Sequence, residues 1–338
     1  MDNRWWQEYN LNILFIGLGS IGQRHLRILK KKHKKNVIFY LKKTNSNILI
    51  NDDLVGKKIK SLSDYYKIQE VTDIQLLKIN IDLTIITNPI SKHYEYALKM
   101  IKLKSHIFIE KPLTDKFENA QKIIKASKKY GVNVYTGYQL RFHPGIKILK
   151  SLIKKKKIGK PISGIFYFGE FLPSTRKYID YSKTHMAIKK LGGGAGLCLS
   201  HQLDLANYLL KDIKLKYSSV YKKSDLKINT EDNFKIVIED KNKSTYFINL
   251  NFLDNPSNNY IKMNFSKGFI EWNYNKNFLL INNFKNTKIY KFRKFKRNRL
   301  FEDQLEYVLN NIKKNRFFCK NLYQSAKVVK IITDAKLN

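Results

Sequence analysis

Cysteine, acidic residues and long apolar runs are scarce in this sequence, and each shortage excludes a class of protein. The two cysteines, Cys198 and Cys319, exclude a disulfide framework and a zinc site built from cysteines. No stretch reaches the roughly 18 apolar residues that a membrane-spanning helix needs, and the first residues lack the apolar segment of a signal peptide. We therefore expect a cytoplasmic protein with no membrane partner.

The shortage of acidic residues gives the chain a formal net charge of +38, from 65 Lys and Arg against 27 Asp and Glu. A charge of this size can indicate binding to nucleic acid. The lysines are, however, spread along the whole chain, and only residues 30–35 and 154–157 form short runs. We interpret the charge as a compositional bias displayed on solvated faces and predict no nucleic-acid partner. It would still help to attract an anionic substrate such as a nucleotide sugar.

The most informative stretch is residues 12–25, where an apolar run ends in three glycines and a helical period begins. This spacing, in this context, is typical of a dinucleotide-binding turn between a strand and a helix. The first glycine allows a sharp turn, the second admits a pyrophosphate, and the third lets the helix pack closely. The alternative is an ordinary turn in an α/β unit. We predict that the dinucleotide is contacted by Gly17, Gly19, Ser20, Ile21 and Gly22.

The next apolar run, Val37 to Leu41, predicts a second strand that ends in Lys42 and Lys43. A site specific for NAD usually offers an acidic residue to the adenosine ribose at this point. A basic pair could instead hold the 2′-phosphate of NADP, so the sequence favours NADP over NAD. The alternative is that both lysines are ordinary surface residues.

Further apolar runs at residues 82–88, 105–109 and 132–136 alternate with helical patterns that follow His93 and Asp115. This alternation predicts a parallel, doubly wound sheet. Ligands bind such sheets at the carboxyl ends of the strands. Gly17, Asn88 and Lys111 all lie at predicted strand ends.

The pattern changes after residue 136. A helix is predicted from Gly194 to about Leu210, and apolar residues then alternate with polar ones over residues 234–238, 246–252 and 261–265, which indicates an antiparallel sheet with one buried face. The last part returns to a helical period. We predict a dinucleotide-binding domain over residues 1–136, a substrate and oligomerisation domain over residues 137–300, and C-terminal helices over residues 301–338.

Five landmarks occur in an order that resembles the Gfo/Idh/MocA family of nicotinamide-dependent oxidoreductases. They are the glycine turn with Arg24-His25, Thr87-Asn88-Pro89 with His93, Glu110-Lys111-Pro112, residues 137–144 (GYQLRFHP), and the triple glycine 192–194 before His201. The segment from Leu172 to Gln202 is most similar to a subgroup often met with genes for nonulosonic acids and other surface sugars. The resemblance covers nearly the whole chain.

This resemblance implies a Rossmann domain followed by an α/β domain whose open antiparallel sheet often mediates oligomerisation. It also implies oxidation or reduction of a hydroxyl or keto group of a sugar or nucleotide sugar, with NAD or NADP as cofactor and no metal. We expect a homo-oligomer, either a dimer or a tetramer. Because the subgroup is associated with surface sugars, a role in surface-glycan biosynthesis is expected.

The resemblance further assigns roles to single residues. Lys111 would orient the reacting hydroxyl and His201 would be the acid or base, while Asn88, His93 and Glu110 would help to hold the dinucleotide. The family usually has an Asp where this chain has Cys198, and a thiol cannot replace a carboxylate. A Cys198–His201 nucleophile is conceivable, and Asp204 could orient the imidazole instead. Expected substrate contacts are Cys198, Tyr138, Arg141, Tyr178 and Tyr181.

The missing Asp leaves two functions open. The first is the oxidoreductase described above. The second is a non-catalytic sensor or scaffold that binds a dinucleotide in the same fold. Binding of the cofactor without turnover would indicate the second.

Overall fold

The first half of the chain alternates strands and helices, as its apolar runs predict. The computed structural model describes residues 10–42, 47–77, 79–210, 212–314, 316 and 319–337. The strands of this half are β1 (Asn12–Ile16), β2 (Val37–Leu41), β3 (Ile48–Ile50), β4 (Gly56–Lys58), β5 (Gln69–Val71), β6 (Leu83–Ile86), β7 (His106–Glu110) and β8 (Val134–Gly137). The helices are α1 (Ser20–Lys32), α2 (Leu62–Tyr66), α3 (His93–Lys102) and α4 (Phe117–Tyr130).

In the described ranges, six of these strands form one parallel sheet in the order β5-β2-β1-β6-β7-β8. Strands β1 and β6 are almost wholly buried, which explains why the sequence shows them as continuous apolar runs. The strand order reverses between β1 and β6, and ligands of doubly wound sheets bind beyond the carboxyl ends of the strands at that point. The predicted Rossmann sheet is confirmed.

The second half contributes a second sheet and the remaining helices. Its strands are β9 (Pro161–Gly169), β10 (Lys214–Tyr221), β11 (Asn233–Glu239), β12 (Thr245–Asn251), β13 (Asn258–Phe265), β14 (Gly268–Asn273), β15 (Phe278–Asn282) and β16 (Thr287–Lys291). Its helices are α5 (Pro144–Lys155), α6 (Ala195–Cys198), α7 (His201–Leu210), α8 (Asn298–Lys313) and α9 (Cys319–Leu337).

The second sheet is mixed rather than purely antiparallel. Its order is β10-β11-β12-β9-β13-β14-β15-β16, and all neighbours are antiparallel except β9 and β12, which are parallel. Strand β9 lies between β12 and β13, which run in opposite directions, so it must be parallel to one of them. The expectation of an all-antiparallel sheet was therefore wrong for this one pair, although the open sheet itself is confirmed.

The period-two pattern of β11, β12 and β13 corresponds to one buried face of this sheet. The predicted inward residues are all buried, and helices α6 and α7 pack against this side, through contacts with β9, β11 and β12. On the opposite face of the same strands the large side chain of Phe247 is exposed. Because α7 packs on this face, its first residue, His201, lies near the carboxyl ends of the strands of the first sheet.

The helix predicted from Gly194 to Leu210 is interrupted. Helix α6 ends at Cys198 and α7 begins at His201, with a turn at Leu199 and Ser200 between them. Cys198 and His201 therefore do not lie on one helix face. A continuous helix over residues 194–210, as the sequence predicts, would have placed them on the same face. The turn leaves the backbone carbonyl of Cys198 available to a partner outside the helix.

Helix α9 joins the two halves of the molecule. Leu322, Ala326 and Val329 pack into the core under the parallel sheet, whereas Val328 and Ile332 pack into the core shared with the second sheet. Neither α9 nor any other helix in the described part of the chain is long and apolar enough to cross a membrane. Division of the chain at residues 136 and 300 stays a prediction.

Candidate active site

A cavity of about 380 Å³ lies beyond the carboxyl ends of β1, β6 and β7, where elements from the second half cover the first sheet. This cavity is lined by eight of the site residues that the sequence predicts. They are Ser20, Ile21, Asn88, His93, Glu110, Lys111, Cys198 and His201. Residues that are distant in sequence therefore meet in one place, as the predicted roles require.

The three glycines of the turn have different physical roles. Gly17 has φ +97°, and a Cβ on it would lie 2.8 Å from the backbone nitrogen of Asn88. A Cβ on Gly22 would lie 2.4 Å from the carbonyl oxygen of Gly17. A Cβ on Gly19, in contrast, would meet nothing within 4 Å. Gly17 and Gly22 are required by the fold, whereas the space beside Gly19 is open to a ligand.

The beginning of α1 is suited to an anion. Gly19 caps it without a side-chain hydrogen bond, its first turn has no acidic residue, and its last turn carries Lys30, Lys31 and Lys32. The first amide groups of a helix have no partner inside the helix, and the helix dipole favours negative charge there. Together with the space at Gly19, this end of α1 fits the pyrophosphate of a dinucleotide.

Asn88 and His93 connect two strand ends. The imidazole of His93 lies 3.0 Å from the carbonyl oxygen of Asn88 and 3.0 Å from that of Pro112. Burial lowers the pKa of His93 and outweighs the two carbonyls, which raise it, so the ring is neutral. The side-chain oxygen of Asn88 is buried without a hydrogen-bond partner among the described residues, and it is available to a bound group.

Glu110 is held by a residue for which the sequence predicted no role of its own. The Nε2 atom of His25 lies 2.8 Å from one carboxylate oxygen of Glu110, and the backbone amide of Lys111 donates to the other at 3.2 Å. Phe108 and Phe301 pack edge-on against the His25 ring. His25 thereby fixes the carboxylate beside the candidate catalytic lysine.

Lys111 connects the two halves of the site. It follows β7, and its ammonium group donates a hydrogen bond to the backbone carbonyl of Cys198, at the turn between α6 and α7. Burial lowers the pKa of Lys111. The neighbouring Cys198, Glu110 and Glu170 raise this pKa and only partly oppose the effect of burial. A lysine in this state is a good hydrogen-bond donor that can also release its proton.

Cys198 and His201 both line the cavity, but they do not form a nucleophilic pair. Burial raises the pKa of the Cys198 thiol to about 12, so the thiolate that a nucleophile needs is absent near neutral pH. Burial also lowers the pKa of His201 well below its ordinary value, and the charges of Lys111 and Arg297 add to this effect. His201 is therefore neutral, and its Nδ1 has no partner in the described part of the structure.

Asp204 does not orient His201. Its two carboxylate oxygens accept hydrogen bonds from the guanidinium of Arg141, at 2.8 Å from Nε and 2.5 Å from Nη2, and both residues are buried. Gln324 accepts a further hydrogen bond from Arg141 at 3.0 Å. The predicted substrate contact Arg141 is thus occupied inside the protein and does not line the cavity.

The three predicted tyrosines do not line the cavity either. Tyr138 is wholly buried, with its hydroxyl 3.3 Å from Oγ of Ser200. The hydroxyl of Tyr181 accepts a hydrogen bond from the backbone amide of Lys227 at 3.0 Å. Tyr178 lies against Gly56 in β4, where an added Cβ would be 3.0 Å from its own. The structure therefore gives these side chains packing contacts.

The two lysines on which the NADP preference rests are only partly described. Lys42 forms an ion pair with Glu70, with Nζ 3.0 Å from Oε1. Lys43 lies outside the described residues. Glu70 would compete with a 2′-phosphate for Lys42, so the preference for NADP over NAD remains a prediction.

Several cavity residues were missed by the sequence analysis. Arg176 and His185 lie in the irregular segment between β9 and α6, Glu170 lies just after β9, and Arg297 precedes α8. Irregular segments have no periodicity that would indicate which side chains turn inward. Within the described ranges, no three His, Cys, Asp or Glu side chains form a group that could hold a metal ion.

Two family models match the chain. A model described as the oxidoreductase family with an NAD-binding Rossmann fold matches residues 11–138, and the GFO/IDH/MocA C-terminal domain matches residues 146–271. The oxidoreductase YrbE of Bacillus subtilis, which is named as uncharacterized, is 26% identical over 224 residues, 63% of this chain and 57% of that protein. Myo-inositol 2-dehydrogenase of Thermotoga maritima is 28% identical over 132 residues, which are 39% of this chain and 36% of that protein. The chain thus spans less than two thirds of the length of these relatives.

Solved structures share the fold over nearly their whole length. An oxidoreductase from Agrobacterium radiobacter, in complex with NAD+, L-tartaric acid and magnesium, has a TM-score of 0.78 at 15% identity and covers 98% of this chain and 97% of its own. UDP-N-acetylglucosamine 3-dehydrogenase of Acidithiobacillus ferrooxidans has a TM-score of 0.77 at 15% identity, with 97% of each chain covered. A 3-ketoreductase of Actinomadura kijaniata, in complex with NADP and TDP-benzene, has a TM-score of 0.80 at 13% identity and covers 97% of this chain and 98% of its own.

The different roles of the glycines give a direct test of the turn. Gly19→Val should prevent dinucleotide binding while leaving the melting temperature unchanged, because its backbone has φ −72° and its Cβ would point into open space. Gly22→Ala should lower the free energy of unfolding by about 1–3 kcal/mol, because the new methyl group overpacks the turn. Calorimetric titration with NADH and NADPH, together with thermal unfolding, measures both effects. Unchanged affinity in Gly19→Val would remove the turn from the binding site.

Proposed function

The chain belongs to the Gfo/Idh/MocA family of oxidoreductases, and from this premise we propose that it is an NAD(P)-dependent dehydrogenase or reductase acting on a hydroxyl or keto group of a sugar or nucleotide sugar. The observation that carries the proposal is the meeting of Lys111 and His201 in one cavity with the glycine turn. Lys111 follows a strand of the parallel sheet, whereas His201 begins α7, which packs on the second sheet, so a shared cavity is not a consequence of local sequence.

The residues present fit a nicotinamide dinucleotide. The open space at Gly19 and the amides at the start of α1 would hold the pyrophosphate, and the free side-chain oxygen of Asn88 would bind a polar group of the cofactor. A bound nicotinamide supplies the acceptor or donor of hydride. The protein supplies the position of the substrate and the path of the proton.

Lys111 and His201 have different roles in the proposed reaction: Lys111 would stabilise the substrate oxygen, and His201 would transfer the proton. Lys111 donates a hydrogen bond that the Cys198 carbonyl accepts in the free protein, and a substrate hydroxyl oxygen would take the place of this carbonyl. Its positive charge would stabilise negative charge that develops on the oxygen. His201 is neutral and can accept the hydroxyl proton during oxidation, or return it during reduction. Gln139 lies 3.4 Å from Nε2 of His201 and limits the orientation of the ring.

The named activities of the relatives define the substrate class that we propose. They include inositol dehydrogenases and a UDP-N-acetylglucosamine dehydrogenase, whose substrates are polyhydroxylated rings with secondary hydroxyls. We propose a sugar or nucleotide sugar, and a role in surface-glycan biosynthesis, on the resemblance of the segment around the triple glycine. Cytoplasmic location remains a prediction.

A specific observation also keeps the sensor or scaffold as an alternative. A protein carbonyl, that of Cys198, accepts the hydrogen bond of Lys111 where the family usually has an Asp. A protein in which this contact persists would bind the dinucleotide without turnover. Turnover by the unmodified protein decides between the two functions.

The outer face of the second sheet supports the expected oligomer. Directly paired residues on four neighbouring strands form one apolar row, and its exposed members are Tyr217 (64% exposed), Phe247 (58%) and Ile165 (39%). The next two positions of the row, Lys262 and Glu271, are charged, so the apolar part of the row is confined to the edge formed by β10, β11, β12 and β9. An exposed apolar patch of this kind is typical of an interaction site. We propose that a second copy of the chain covers this face.

The oligomer is tested by placing a charge on that face. Phe247→Asp should convert the protein to a monomer, because a carboxylate would be buried against an apolar surface. Light scattering after size exclusion gives the mass. Leu103→Asp, on an exposed residue of the first half, serves as the control and should leave the mass unchanged. A monomeric unmodified protein, or an oligomer of unchanged mass in Phe247→Asp, would contradict this assignment.

The role of Lys111 is tested by truncating it. Lys111→Ala should reduce turnover by about 100-fold or more, as expected for loss of a group that acts on the transferred proton, and should leave dinucleotide affinity within several-fold. Steady-state assays and calorimetry separate the two effects, with the exposed Lys116→Ala as control. Full turnover in Lys111→Ala would remove this lysine from the mechanism.

The pKa shifts predict the pH profile of oxidation. The reaction needs neutral His201, whose pKa lies below its ordinary value of 6.5, so the acid limb of kcat/KM should lie below pH 6.5. It also needs protonated Lys111, whose pKa lies below 10.5, so activity should fall again before that pH. His201→Gln should abolish the acid limb. An acid limb at or above pH 6.5 that persists in this variant would contradict the assignment.

A further inference from the structure

One wall of the cavity carries a guanidinium group that forms no ion pair with any described carboxylate. Arg176 lines the cavity, and its Nη1 lies 3.4 Å from Nδ1 of His185. Because a guanidinium only donates, Nδ1 must accept, and the imidazole is therefore neutral. In the described part of the chain Arg176 forms no ion pair with Asp or Glu. Most of its N–H groups remain available to a ligand.

Other arginines near the site differ from Arg176 in this respect. Arg141 is paired with both oxygens of Asp204. Arg24 forms an ion pair with Asp52, with Nε 3.9 Å from Oδ1, and donates to the backbone carbonyl of the same residue. Arg297, which also lines the cavity, resembles Arg176 because none of the described carboxylates pairs with it. The two unpaired guanidinium groups therefore both face the cavity.

The charges that line the cavity are unbalanced. Three cationic side chains, those of Lys111, Arg176 and Arg297, face two carboxylates, those of Glu110 and Glu170, while the fourth cation, Arg24, is paired with Asp52. Glu110 is already held by His25. Burial raises the pKa of Glu170 although the charges of Lys111, Arg176 and Arg297 oppose this shift, so a single carboxylate is shared among three cations. Among the described residues, the lining of the cavity thus has an excess of positive charge.

The electrostatic effect of both arginines reaches the candidate catalytic residues. The charge of Arg176 contributes to the lowered pKa of Lys111 and, after burial, is the largest cause that lowers the pKa of His185 to about 3. The charge of Arg297 contributes to the lowered pKa of His201. Because both arginines line the same cavity as Lys111 and His201, an anion that they bind would share this cavity with the reacting hydroxyl.

From this arrangement we propose that the substrate is a sugar acid, whose ring carries a carboxylate that Arg176 binds, with Arg297 as a second positive charge. The inference rests on the proposed function and names its substrate class. The planar fork of a guanidinium matches a carboxylate through two parallel hydrogen bonds. Because the arginines line the same cavity as Lys111 and His201, we favour a carboxylate on the reacting ring over the diphosphate of a nucleotide sugar.

The test measures binding rather than turnover, so that it does not depend on the reaction. Protein saturated with NADH is titrated calorimetrically with matched pairs: D-glucuronate and D-glucose, D-galacturonate and D-galactose, and UDP-N-acetylglucosaminuronate and UDP-N-acetylglucosamine. We expect at least one acidic member to bind about tenfold or more tightly than its neutral partner, as a charge-assisted hydrogen-bond pair provides. Arg176→Gln should abolish this ratio, and Lys177→Gln, at the exposed neighbouring residue, should preserve it.

A second variant keeps the test independent of the folding of Arg176→Gln. Arg297→Gln, at an exposed position, should reduce the same ratio, while Arg299→Gln, whose guanidinium pairs with Asp303, should not. The proposal is overturned if no acidic sugar binds more tightly than its neutral partner. It is also overturned if Arg176→Gln weakens UDP-N-acetylglucosamine as much as the acidic nucleotide sugar, because the diphosphate would then be the group recognised. Failure of dinucleotide binding, in contrast, would refute the proposed function before any sugar is added.

Discussion

The site depends on the contact between the ammonium group of Lys111 and the backbone carbonyl of Cys198. Lys111 stands at the end of β7 in the parallel sheet, and Cys198 ends α6, which packs on the second sheet. The contact joins residues 87 positions apart and closes the cavity between the two sheets. It is possible only because the helix breaks between Cys198 and His201, since a continuous helix would use this carbonyl internally.

Burial controls the chemistry of the site more than any single charge. It keeps His93, His185 and His201 neutral, keeps the Cys198 thiol protonated, and lowers the pKa of Lys111. Positive charges of the cavity also lower the pKa of His185 and His201, whereas Glu110 raises that of His93. Neutral imidazole beside a protonated lysine is the combination that oxidation of a hydroxyl requires. The loss of the usual Asp is therefore compatible with catalysis, provided that the substrate displaces the Cys198 carbonyl from Lys111.

Local patterns predicted much of the fold and part of the site. The glycine turn, the strands β1, β2, β6, β7 and β8 and the buried face of the second sheet follow from spacing and periodicity, which depend on neighbouring residues. Short strands such as β3 and β5 have too few residues to show a period. Long-range pairings could not be predicted: Arg141 meets Asp204 63 positions away, and Arg176 meets His185 in a segment without regular structure. The identity of one residue in such a pair does not indicate which residue elsewhere in the sequence it will contact.

The central claim is that hydride passes between a sugar carbon and a nicotinamide held in this cavity. It is tested most directly with acidic sugars and nucleotide sugars deuterated at their secondary carbinol carbons, followed by NMR of the reduced dinucleotide recovered after incubation. We expect deuterium at C4 of the nicotinamide from at least one substrate. Tight dinucleotide binding without deuterium transfer from any of them would contradict the claim and indicate a sensor or scaffold.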